Sequence, residues 1–171
     1  GTKFKVILGY PGGNEVNMAM ERGEVAGRGS NAWASYKSTR PDWIKDNKIN
    51  ILVQVGLRRA PDLPNVPLLM DTATNDLDRA ALRLLSSPTA IGRPFFAPPN
   101  VPAERVKALR AAFSAMVKDK AFLDEARKLN LDIDPVEGEE LQKIVADIID
   151  APANVKKRLA DVLSLVEREK K

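Results

Sequence analysis

Three prolines fall within seven residues, at Pro61, Pro64 and Pro67, and no other run limits the fold of this chain so firmly. Each proline fixes φ and removes a backbone donor, so neither a helix nor a central strand can pass through the stretch from Arg58 to Pro67. The stretch must be an extended connector. Ahead of it, short apolar runs alternate with helical ones. Beyond Pro102 the pattern is mostly helical.

Before the connector, residues 4–8 read as a strand and 14–22 as a helix with Met18 and Met20 among its apolar positions. Gly23-Glu24 then turns into a short strand at Val25-Ala26. A second helical stretch covers about 31–38, and Pro41-Asp42-Trp43-Ile44 begins another turn. The run Ile49-Asn50-Ile51-Leu52-Val53-Gln54-Val55-Gly56 is rich in β-branched residues and reads as a buried strand. Strand, helix and strand in this order predict an α/β sheet with parallel members.

After the connector, Leu77, Ala81, Leu82 and Leu85 give residues 76–85 a helical pattern. Arg93-Pro94-Phe95-Phe96-Ala97-Pro98-Pro99 reads as a short apolar strand bounded by prolines. Val106, Leu109, Phe113 and Met116 share one helix face, with Pro102 and Glu104 suited to its first turn. Phe122, Leu123, Ala126 and Leu129 predict a shorter helix, and Leu131-Asp132-Ile133-Asp134-Pro135 a brief strand. Leu141, Ile144, Val145, Ile148 and Ile149 form a strong helical stripe. Pro152 breaks it, and Val155, Leu159, Val162, Leu163 and Val166 start the last helix.

Composition narrows the chemistry. The 171 residues suffice for one ordinary domain or two small lobes. They include no cysteine and no histidine, which removes thiolate nucleophiles, cysteine zinc sites, the commonest general base and any Ser-His-Asp triad built from this chain alone. No apolar run approaches the ~20 residues of a membrane-spanning helix. The 27 basic and 23 acidic residues are spread along the chain, and the resulting charge of +4 neither requires nor excludes nucleic acid. Because Gly1-Thr2-Lys3-Phe4-Lys5 enters the first strand almost at once, the chain reads as the second half of a longer protein.

Two glycine-rich loops carry the binding signal. Gly9-Tyr10-Pro11-Gly12-Gly13-Asn14 opens into the first helix, and Gly27-Arg28-Gly29-Ser30-Asn31 precedes the second. A loop that starts a helix aims free N–H groups and the positive end of the helix dipole outward, which suits an anion. Tyr10, Gly12, Gly13 and Asn14 are candidate ligand contacts, although Asn14 is equally a plain cap. Arg28 suits a carboxylate or phosphate, against the bland reading of a surface arginine. Gly29, Ser30 and Asn31 complete the set, Ser30 and Asn31 being equally good as caps. Trp33 reads as core before cleft wall. Asp132 and Asp134 read as solvated and Glu139 and Glu140 as first-turn dipole partners, so no metal site is expected. The basic groups Lys156-Lys157-Arg158 and Arg168 to Lys171 read as a solvated helix face, interleaved with Asp161, Glu167 and Glu169, and no nucleic-acid partner is expected.

The order of these landmarks resembles the tripartite tricarboxylate transporter receptor family, also called the Bug family of extracytoplasmic solute-binding proteins. The resemblance rests on Gly9-Tyr10-Pro11-Gly12-Gly13, Arg22-Gly23-Glu24-Val25, Pro61-Asp62-Leu63-Pro64-Asn65-Val66-Pro67, Phe96-Ala97-Pro98-Pro99-Asn100-Val101-Pro102 and Pro135-Val136-Glu137-Gly138-Glu139-Glu140. It spans the chain to about residue 150. It implies a periplasmic-binding-protein-like (type II) α/β lobe with a parallel-rich sheet, residues 1–92 forming part of lobe 2. Residues 93–171 would be a mostly helical C-terminal portion returning to lobe 1. The implied function is periplasmic capture of a small organic acid, a carboxylate, for membrane transporter subunits, with no cofactor and no enzymatic step. Arg28 departs from the family pattern, which has uncharged or acidic residues after that strand, and residues 71–88 are longer and more helical than is typical.

A rival reading comes from Gly27-x-Gly29-x-x-Ala32, which matches the dinucleotide fingerprint, with Leu57-Arg58-Arg59 placed to hold a 2′-phosphate. It implies an NADP-binding Rossmann-type oxidoreductase fragment. The strand before Gly27 is short for that fold, and the distance to Arg58 exceeds the usual ~20 residues. A structural module with no small ligand is the third reading.

Overall fold

The computed structural model describes residues 3–129 and 131–168. Residues 169–171 of the basic tail lie outside them. The elements are helices α1 (Gly13–Glu21), α2 (Trp33–Thr39), α3 (Pro41–Lys45), α4 (Asp76–Ser86), α5 (Ala103–Met116), α6 (Lys120–Lys128), α7 (Gly138–Ile149) and α8 (Ala153–Arg168). Short 3-10 turns at Leu69–Thr72 and Ser87–Ala90 flank α4.

Local chemistry sets these boundaries. Asn75 Oδ1 caps α4 by accepting from Asp78 N at 2.8 Å, and Asp119 Oδ1 caps α6 by accepting from Phe122 N at 2.8 Å. Pro41 opens α3, where a missing N–H costs nothing. Pro152 parts α7 from α8 and lends its carbonyl to Val155 N and Lys156 N, both at 3.0 Å.

The expected α/β architecture is overturned. Among the described residues there is no strand and no sheet, and the ladder pairing is an isolated parallel bridge between Gln54 and Leu68. The periplasmic-binding-protein-like lobe with a parallel-rich sheet is therefore not the fold. Residues 4–8 and 49–56, together with those around Val25, 93–99 and 131–135, form no strand. The reason is that an apolar, β-branched run supplies a surface suited to a sheet but never the neighbouring backbone that makes one. Phe4, Val6, Ile7 and Leu8 are all more than half exposed, and so is Leu52. The dinucleotide reading lacks its required setting for the same reason, since no strand leads into Gly27.

The chain forms two compact units, Gly1–Ile49 and Asn50–Lys171. In the first, Ala19, Asn17 and Trp43 are buried. Trp33, Tyr36 and Trp43 stand in a tilted row, with ring centroids 6.5 Å and then 6.1 Å apart, and the Arg40 guanidinium lies 5.8 Å from the Trp43 ring.

In the second unit, α4 packs on α8, burying Ala81 and Val155, and Arg158 Nε donates to Asp78 Oδ1 at 2.5 Å across that contact. The end of α4 is fully buried at Ser86, whose Oγ donates to Leu82 O at 2.8 Å. The proline connector is irregular, as predicted, yet well ordered by hydrogen bonds. Gln54 Nε2 donates to Leu63 O and Val66 O, each at 2.9 Å, while its Oε1 accepts from Ala60 N at 2.8 Å. The Gln54 main chain adds bonds to Pro67 O and from Leu69 N, both 2.8 Å. Arg59 Nη2 donates to Asp71 Oδ2 at 2.9 Å, and Leu68 N donates to the same oxygen. The Arg59 bond, followed by the Leu68 amide, holds the Asp71 carboxyl below its ordinary range.

Candidate functional site

The two glycine-rich loops meet at one residue pair. Arg28 Nη1 donates to Gly13 O at 3.2 Å and to Asn17 Oδ1 at 3.1 Å. Gly13 and Asn17 are one turn apart on α1, so the guanidinium lies along the helix's opening turn. The approach is close: a Cβ on Gly13 would stand 2.7 Å from Arg28 Nη2, so the guanidinium would have to shift to admit one. Asn17 is 2 % exposed, and its side-chain oxygen is aimed by this bond.

The electrostatics are lopsided. The first-turn N–H groups of α1 carry the positive end of its dipole, and Gly12, which precedes them, has no side chain to cap them. Arg28 adds a full positive charge at the same place, and the oxygens of Gly13 and Asn17 that accept from it are neutral. Glu15 is the acid of that turn. Its Oε2 would stand 2.8 Å from a Cβ on Gly12, so it folds back towards the cap.

A second helix start shows what a neutralised version looks like. A Cβ on Gly138, the first residue of α7, would stand 2.6 Å from Arg110 Nε. There the arginine is matched, because Arg110 Nη1 donates to Glu139 Oε1 at 2.8 Å and Nη2 to Gln142 Oε1 at 3.0 Å. The same arginine-over-glycine contact is thus ion-paired at α7 and bonded to neutral oxygens at α1. Glu139 acts there as the expected first-turn acid.

The other candidate residues are placed unevenly. Tyr10 is half-buried and lies near Arg22, whose charge is favoured by the Glu24 carboxylate 2.7 Å away. Gly12 and Asn14 are exposed beside Gly13. Gly29 and Ser30 are exposed, and α2 begins only at Trp33 with Ala32 before it, so Ser30 and Asn31 do not sit at its start. Asn31 Nδ2 is buried without a hydrogen-bond acceptor. Trp33 joins the aromatic row, and Asp134 takes the Arg58 guanidinium at 2.6 Å. Among the described residues no acidic group has the makings of a metal site, and no helix is long and apolar enough to cross a membrane.

Sequence reasoning missed Asn17 and the folded-back Glu15. The spacing of Gly13 and Asn17, four residues apart on one helix, was the available signal for the first. Compared with family models, curated proteins and solved structures, the chain matches none.

Proposed function

We propose that this chain is part of an extracytoplasmic solute-binding receptor and that it captures a small organic acid for membrane transporter subunits. A carboxylate of the acid lies against the Arg28 guanidinium and the opening amides of α1, held without any bond being made or broken. The observation that carries this reading is the Arg28 guanidinium beside the opening turn of α1, donating to the neutral oxygens of Gly13 and Asn17, with Glu15 as the acid of that turn.

Calorimetric titration of the chain with citrate, succinate and glycerol tests the proposal. The two acids should bind and glycerol should not. Arg28→Ala should weaken citrate binding by about 1.5–3 kcal/mol, the scale of a charge-assisted hydrogen bond. Arg28→Lys should fall between, because it keeps the charge and loses the fork. A citrate dissociation constant identical in wild type and Arg28→Ala would overturn the site.

A further inference from the structure

A groove of about 410 Å³ opens in the second unit beside α5 and α7, within the ~300–1,000 Å³ typical of small-ligand sites. Its lining combines the apolar side chains of Val101, Ala103 and Val106 with Lys107, Arg110 and Gln142. The acid of the lining, Glu139, is occupied by Arg110 at 2.8 Å. A neighbouring acid, Glu137, accepts from Ser114 Oγ at 2.5 Å. Among the described residues neither carboxylate forms an ion pair with Lys107, which sits three residues before Arg110 on the same helix face. Gln142 is also oriented: its Oε1 accepts from Arg110 Nη2 at 3.0 Å, which leaves its NH₂ group as the donor. Among the described residues the groove therefore offers a lysine outside any ion pair, an amide donor and a short apolar floor.

We infer that this groove binds an aliphatic monocarboxylate, with its carboxylate on Lys107 and Gln142 and its hydrocarbon chain against Val101, Ala103 and Val106. Lys107 favours an anion over a neutral amide of the same shape. The apolar floor of Val101, Ala103 and Val106 gives a second carboxylate no partner, which separates this ligand class from the polycarboxylates proposed for Arg28.

Hexanoate titrated into the chain, with hexanamide and citrate as controls, tests the inference by chemical-shift changes in amide spectra. Hexanoate should shift the α5 and α7 amides and bind about tenfold more tightly than hexanamide. Lys107→Met keeps the apolar stem and should bring hexanoate down to the level of hexanamide. Val106→Trp, which fills the groove, should abolish binding, and Arg28→Ala should leave it unchanged. Circular dichroism of both groove variants checks that the helices persist. Equal binding of hexanoate and hexanamide, an unchanged affinity in Lys107→Met, or loss of hexanoate binding in Arg28→Ala would each overturn the inference. So would the absence of any shift at about 10 mM hexanoate.

Discussion

Gln54→Ala is expected to destabilise the second unit by about 1.5–3 kcal/mol. The side chain makes three hydrogen bonds, to Leu63 O, Val66 O and from Ala60 N, all part-buried. A net value of about 0.5–1.5 kcal/mol for each sums to roughly 1.5–4.5 kcal/mol. The connector lies at the surface, where water can reach the three abandoned groups, so the lower half of that range applies. Urea unfolding followed by far-ultraviolet circular dichroism measures the change through the midpoint at constant slope. Gln54→Glu sharpens the test. It keeps the shape but sets a carboxylate against two carbonyl oxygens, and should cost more than alanine at neutral pH. Lowering the pH through the ordinary glutamate range should recover part of that excess. A cost below about 0.5 kcal/mol for Gln54→Ala, or a glutamate variant as stable as wild type, would refute the view that this side chain holds the connector.

Other outcomes separate the fold from the site. Gly13→Ala should leave stability unchanged or raise it by up to about 1 kcal/mol, since alanine favours the helix. The same substitution should weaken citrate binding, because its Cβ takes the space of Arg28 Nη2; thermal melts and calorimetry on one sample read both. Asn17→Asp should give Arg28 an internal counterion and abolish citrate binding while the protein stays folded, and retained affinity would count against the site. The Asp78 carboxyl is held below its usual range by the Arg158 bond first and the Asn75 bond second. Its contribution to stability is therefore complete above the ordinary aspartate value and is lost as pH falls through the depressed one. Melting temperatures measured down to about pH 2 should fall less steeply in Asp78→Asn than in wild type.

What the sequence made legible was helical. Leu77, Ala81, Leu82 and Leu85 marked α4, and Leu141, Ile144 and Ile148 marked α7, because helix periodicity records contacts made within one segment. Pro102 and Pro152 marked the starts of α5 and α8 through their own covalent geometry. The strands were misread because Val6, Ile7 and Leu8, or Ile51 and Val53, state only a preference for a flat partner that these segments do not find. At the proposed site, the loops suggested an anion-friendly helix start, with Arg28 as a candidate cation. That it lands on Gly13 and Asn17, and that Gln54 ties three carbonyl and amide groups across the connector, depends on contacts between segments whose spacing follows no period.

The Gln54–Leu68 bridge bears on the order in which the second unit assembles. It joins residues only fourteen apart, a ring of chain that closes on the scale of about 10–100 ns. The Asp78–Arg158 clasp spans 80 residues, and ring-closure entropy makes it dearer by about 1.5 kcal/mol before any favourable contact forms. The proline-rich segment is thus expected to set early, as a local seed, with the last helix docking late against a surface already in place.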